Sequence, residues 1–308
     1  MRVANDKAFI APVRRCTIVV VGCHVAGGKW RWNILRSTCF DYGDPGAGKS
    51  EFASTFPKPI IVFQFDPYGK DTPYLRRGRP TDFTFDHLGT PVRQIMSRKT
   101  GALLIQIEYF HDTDWVMDAK GQGANQTVLN IAHVNPECWE RFGKRMYYFS
   151  HEEYAQWATA VFDSVTTMEI AARAFFQYKI NPNAKDGRQW WGEATSALEQ
   201  ILYTRVGGFP MNVVTLAHVD KEQDEVLGVR VRNPLAPGRL RGSLGGAYGE
   251  FYHHFVSQAR DVNNRPAGER EYLVQTQGSS QWNASSQIHA PDPCPSTYQA
   301  LWTGEEAA

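Results

Sequence analysis

Short apolar runs alternate with longer amphipathic stretches, and this alternation sets the expected architecture. Residues 60–65 (IIVFQF), 158–162 (ATAVF) and 212–216 (NVVTL) are compact runs rich in β-branched and aromatic side chains, and they read as buried strands. Between them, 167–178 places Met168, Ala171, Ala172, Phe175 and Phe176 on one helical stripe. Residues 190–205 do the same with Trp191, Ala194, Leu198, Ile201 and Leu202. This pattern predicts an α/β fold with a mainly parallel central sheet and helices on both faces. Each strand ends near a polar residue: Asp66 and Asp163 directly after theirs, and His218 after 212–216 with Ala217 between. Open α/β sheets bind ligands outside the carboxyl ends of their strands, so the three endings point to one crevice.

The remaining segments fit around that core. Residues 67–156 exceed a simple crossover and read as an insertion with short elements of its own, including a strand at 102–109. Residues 251–257 and 270–277 flank the turn-rich 263–268 (NNRPAG), the signature of a C-terminal β-hairpin. The expected organisation is an N-terminal extension (1–32), a main domain (33–288) and a Pro-punctuated tail (289–308).

Composition narrows the class. The chain has 308 residues, with 33 Lys+Arg against 32 Asp+Glu for a net charge of +1. That balance excludes a globally basic binder and an acidic disordered chain. No apolar run approaches the roughly 18–20 residues of a membrane span. The five cysteines are odd in number and form no C-x-x-C pair. The pattern favours a reduced, cytoplasmic protein over a disulfide scaffold or a zinc site.

The most informative motif is Gly43, Asp44, Pro45, Gly46, Ala47, Gly48, Lys49 and Ser50, which fits the phosphate-binding pattern G-x-x-x-x-G-K-[ST]. Glycines allow a tight loop whose N–H groups point at phosphate oxygens, Lys49 neutralises them, and the Ser50 hydroxyl ligates Mg²⁺. Glu51 opens the helix that follows. ATP and Mg²⁺ are the expected cofactors. The alternative is an ordinary glycine-rich turn. The preceding 33–42 is a poor strand by pattern. The better run, 17–21, leads into a decoy in which Gly28 stands where the lysine belongs.

A phosphate loop needs a second carboxylate near the metal and a group that orients the attacking water. Asp163 is the metal candidate, with a helix N-cap as its structural alternative. Ser164 follows it rather than a glutamate. Asp66 is therefore the candidate for orienting water, against a turn role in Asp66-Pro67. His218 is either a sensor of the terminal phosphate or a hydrogen-bonded structural residue.

In that order, GDPGAGKS, FQFDPYGKD, AVFDSVTT and NVVTLAHVD resemble the RecA-type ATPase core, and more closely the phage and prophage nucleotide-binding proteins of the single-strand-annealing class. The resemblance spans about 33–288. It implies a RecA-like P-loop NTPase core with Asp163 as the metal-side acid, Asp66 where the family holds its catalytic acid, and His218 as a switch residue. It also implies single-stranded DNA as partner and a homo-oligomer, ring or filament. One departure stands out: Ser285 and Gln287 occupy positions where related phage proteins carry Lys and Arg, so weak hydrolysis is expected.

Behind His218, 226–248 carries Arg230, Arg232, Arg239 and Arg241 with no acid, and its glycines suggest a flexible loop suited to phosphate backbones. The alternative is an exposed loop paired with the adjacent 220–225, which has four acids and one lysine. A second basic cluster, Lys70, Arg76, Arg77 and Arg79, reads equally as a nucleotide, DNA or subunit contact and as a solvated face. Trp190 and Trp191 read as packing residues. Two rival functions remain open: a P-loop phosphotransferase, and a non-hydrolysing nucleotide-gated DNA-binding module.

Overall fold

The computed structural model describes residues 37–302 apart from 68, 113–114, 122–126, 134–135, 150, 185, 224–229 and 261–265. The expected 1–32 extension, with its decoy loop, lies outside the described residues. Within them, six strands pair in parallel: β1 (Thr38–Gly43), β2 (Ile60–Gln64), β3 (Leu103–Tyr109), β4 (Thr159–Asp163), β5 (Asn212–Gln223) and β6 (Glu250–Arg260). Their spatial order is β6-β1-β5-β4-β2-β3. Antiparallel strands extend both edges. Pro266–Gln275 lies along β6, and Pro91–Met96 lies along β3.

Side chains alternate across each strand and build two cores, one on each face. Phe40, Tyr42, Ile61, Phe63 and Phe162 face one side. They meet helices α3 (Cys138–Tyr148), α4 (Val165–Ala174) and α5 (Gly187–Glu199), with Phe142, Met168, Ala172 and Leu198 as the helical partners. Cys39, Ile60, Val62, Val161, Val214 and Leu216 face the other side, beneath α1 (Lys49–Ala53) and α2 (Thr72–Leu75), which supply Phe52 and Tyr74. Burying each such phenylalanine contributes about 1.5–3 kcal/mol relative to leaving it exposed.

Several segments differ from the pattern-based expectation. The strand before the phosphate loop is the weak-looking one, because its central Asp41 is fully buried yet satisfied. His254 Nε2 lies 2.9 Å from Asp41 Oδ1, and the Cys39 thiol donates to Oδ2 at 3.0 Å. Residues 103–109 belong to the central sheet rather than to a separate insertion, since Ile105 and Ile107 complete the core against β2. On that strand Glu108 is buried but is held by the Arg145 guanidinium at 2.8 and 2.9 Å.

β5 runs past Leu216 and through His218 to Gln223, because Arg230–Pro234 pairs against its extension. The expected flexible arginine loop is therefore, among the described residues, that strand followed by helix α6 (Gly238–Ala247). Leu240 and Leu244, one turn apart on α6, are fully buried and pin the helix to the core. Trp191 is 40% exposed and lies under the Arg173 guanidinium at 5.6 Å, so it is a surface contact and not a core member. Among the described residues no helix is long and apolar enough to cross a membrane.

Candidate nucleotide site

β1 ends at Gly43 and α1 begins at Lys49, so the phosphate-loop motif occupies a strand-to-helix turn. Its glycines have distinct causes. A Cβ on Gly43 would stand 2.4 Å from the His254 carbonyl oxygen, so the close approach of β1 to β6 demands a bare Cα. Gly48 has φ +88°, a left-handed conformation that side chains disfavour, and a Cβ there would also meet the Tyr272 ring at 2.8 Å. The turn closes through Ala47 N–H to Asp44 O at 3.0 Å.

Lys49 is buried, and its ammonium donates to Gly43 O at 2.8 Å and Asp44 O at 3.0 Å. Burial lowers its pKa, while the charges of Asp163, Asp66, Asp44 and Asp41 pull it back up. Asp163, the last residue of β4, receives two hydroxyls on Oδ2, from Ser50 and from Tyr74, each at 2.8 Å. Burial and the nearby Asp66 charge push its carboxyl up to about 6, against the hydrogen bonds of Ser50 and Tyr74 and the charge of Lys49.

Asp66 lies just beyond β2, tied to the end of β4 by Phe65 N–H to Asp163 O at 2.6 Å. Its Oδ1 accepts from Ser164 Oγ at 2.7 Å and from Thr167 Oγ1 at 2.6 Å, and His218 Nε2 stands 3.5 Å from Oδ2. Burial alone would raise its pKa. The contacts from His218, Thr167 and Ser164 outweigh that and bring it to about 2. These contacts favour the anionic form of Asp66, which suits it to accepting hydrogen bonds rather than to holding a proton.

His218 sits in β5, which separates β1 from β4, so the strand order brings it beside Asp66. Its backbone is fixed on both sides, donating to Thr166 Oγ1 at 3.0 Å and accepting from Leu235 N–H at 2.7 Å. Ser164 is the N-cap of α4 and accepts from Thr167 N–H, which leaves the Asp163 side chain free of that task.

The structure brings Lys49, Ser50, Asp66, Asp163 and His218 into one cluster at the carboxyl ends of β1, β2 and β4, beside the middle of β5. Ser50 and Asp163 offer a hydroxyl and a carboxylate 2.8 Å apart. These are hard oxygen donors that fit Mg²⁺, which takes one or two carboxylates plus phosphate oxygens. Glu51, next in α1, forms an ion pair with Arg77, whose Nε also donates to Ser54 Oγ at 2.7 Å. That member of the second basic cluster therefore braces α1.

The four candidate DNA-contacting arginines lie outside this cluster. Arg230 and Arg232 are on the strand paired with β5, while Arg239 and Arg241 are on α6. Arg241 is engaged by Asp220 Oδ2 at 2.9 Å and Glu222 Oε1 at 2.5 Å. Arg232 faces Lys221 in the register, and Lys221 reaches Asp44 of the phosphate loop at 2.7 Å. At the positions where cations were expected, Ser285 pairs with Phe251 in a short strand and Gln287 N–H donates to Glu250 Oε1 at 3.1 Å.

The sequence pattern does not single out three contributors: Tyr74, Ser164 as an Asp66 ligand, and Thr167. The Ser-Val-Thr-Thr run after Asp163 carries a signal for the hydroxyls, since a strand end followed by such residues places them at one helix terminus. Nothing local to Tyr74 marks it.

This geometry agrees with the comparison to known families. The model of an AAA domain matches residues 37–233, from β1 and its loop through Asp163 and His218 to the Arg232 strand. No curated protein matches the sequence. With more than half of its length covered by that match, the chain belongs to the AAA-domain family and carries a P-loop ATPase-type nucleotide-binding domain.

Proposed function

We propose that the chain is a RecA-like ATP-binding protein that acts on single-stranded DNA in phage-type recombination, annealing or repair, as a homo-oligomer in the cytoplasm. The observation that carries this reading is the position of β5. One strand holds His218 against Asp66 at 3.5 Å and continues to Lys221, which touches Asp44 of the phosphate loop and faces Arg232 across the ladder. In this reading, nucleotide state and an arginine-bearing ribbon are linked through one strand.

In this reading the loop backbone and Lys49 hold the phosphates, and Ser50 and Asp163 hold Mg²⁺. Held there, Mg²⁺ would supply charge neutralisation for the transferred phosphoryl group. Asp66, held in its anionic form by its hydroxyl and histidine contacts, orients the attacking water by accepting its hydrogen bond, and His218 reports the result along β5. The low basicity of Asp66, with Ser285 and Gln287 in place of cations, favours slow turnover. The same two features support a second reading, a nucleotide-gated DNA-binding module that does not hydrolyse ATP.

Phosphate release titrated with single-stranded DNA separates the two. A DNA-stimulated rate supports the ATPase, whereas ATP-dependent DNA binding without release supports the module. Lys49→Ala is expected to abolish ATP binding, measured by calorimetry, and unchanged affinity would remove the basis of both.

A further inference from the structure

The phosphate loop rests on an aromatic ring that neither its motif nor the hydrolysis chemistry uses. A Cβ on Gly48 would lie 2.8 Å from Cδ1 of Tyr272 and 3.5 Å from its Cβ, so the loop backbone packs directly on this side chain. Tyr272 belongs to the strand Pro266–Gln275 and stands opposite Val256 of β6. Residues paired in this way share one face of the sheet.

The same face is covered one step further along the ladder. His254 and Val274, the neighbouring pair on that side, are buried, and the Phe52 ring of α1 lies 4.9 Å from His254. At Val256 and Tyr272 the sheet emerges from beneath α1, and both side chains stay open, 38% and 44% exposed. Two large apolar groups therefore lie side by side at the rim of a cradle built for a polyanion.

We infer that Tyr272, flanked by Val256, is the platform on which the base of the bound nucleoside triphosphate stacks. The inference rests on the reading of Gly43–Ser50 as the triphosphate site. A nucleobase is a flat π-system tethered to the phosphates by its ribose, so it needs an aromatic or apolar surface within reach of the loop and little else. Ring stacking tolerates any base, because each presents a π-face. The Tyr272 hydroxyl has no part in it.

The test compares ATP with inorganic tripolyphosphate, both with Mg²⁺, on the full chain by calorimetry. Tyr272→Ala is expected to weaken ATP binding about ten-fold or more, the range that removing one base–aromatic stack produces. Tripolyphosphate affinity stays unchanged in the same variant, and Tyr272→Phe binds ATP like the parent. Equal losses for ATP and tripolyphosphate would make the ring a prop for the loop and overturn the inference, as would unchanged ATP affinity in Tyr272→Ala. A parent chain that binds neither ligand overturns the phosphate-loop reading itself.

Discussion

Asp163 Oδ2 accepts hydrogen bonds from two hydroxyls far apart in the chain, those of Ser50 and Tyr74, and in the proposed site this shared oxygen would make Tyr74 a positioning residue. Ser50 is part of the phosphate-loop motif, but Tyr74 comes from the short helix α2 behind Asp66 and is fully buried. Tyr74→Phe keeps the ring in the core and removes only the O–H. A hydrogen bond to a charged group is worth about 1.5–3 kcal/mol. We expect kcat for ATP hydrolysis to fall about ten-fold or more. In the proposed site the loop and Lys49 hold the phosphates, so the KM for ATP should change little while half-saturation shifts to higher Mg²⁺. Steady-state kinetics across a Mg²⁺ titration checks this. A variant with a lower melting temperature but the parent's kcat and Mg²⁺ requirement would show that the hydroxyl only supports the fold.

The phosphate loop works as the junction of three elements, β1, β6 and α1, and its glycines should fail in a graded way. Gly43→Ala places a methyl 2.4 Å from a backbone oxygen of β6, a contact that no rotamer relieves. Gly46 has φ +80° and open space around it, so Gly46→Ala meets only the left-handed strain of about 1–2 kcal/mol. Denaturant unfolding is expected to rank Gly43→Ala as much the more destabilised of the two; equal losses would mean that β1 moves away from β6 without cost. The same junction shows what the sequence made legible. The motif, the strands β2 and β4 and the first half of β5 are legible because they carry compact apolar runs, while the polar extension of β5 is not. β1 was obscured because Asp41 interrupts its pattern, and the partner that makes it tolerable, His254, is distant in the chain. Tyr74 was hidden for a like reason: its role depends on a contact with Asp163 that no local spacing encodes. The 226–248 segment looked like a loop because its glycines outweigh the buried Leu240 and Leu244 in any local count.

At the scale of the whole molecule, ion pairing among the described residues separates the arginines behind His218. Acids of the β5 extension already bind Arg241, whose two carboxylate partners would have to be given up before it met a phosphate. Arg232 sits on the ribbon opposite Lys221, the residue that touches the phosphate loop. If the ribbon carries single-stranded DNA, the two arginines should behave differently. Arg232→Ala is expected to weaken DNA binding and to flatten the dependence of log K on log salt by roughly 0.7 for each single-strand phosphate that is no longer neutralised. Arg241→Ala should leave that slope in place and lower thermal stability, since it strands Asp220 and Glu222 together. Binding measured by anisotropy at several salt concentrations, with melting curves for both variants, distinguishes the roles. The reverse pattern, a flattened slope for Arg241→Ala alone, would move the DNA contact from the ribbon to α6. It would also detach that contact from β5, because α6 has no strand pairing through which His218 could reach it.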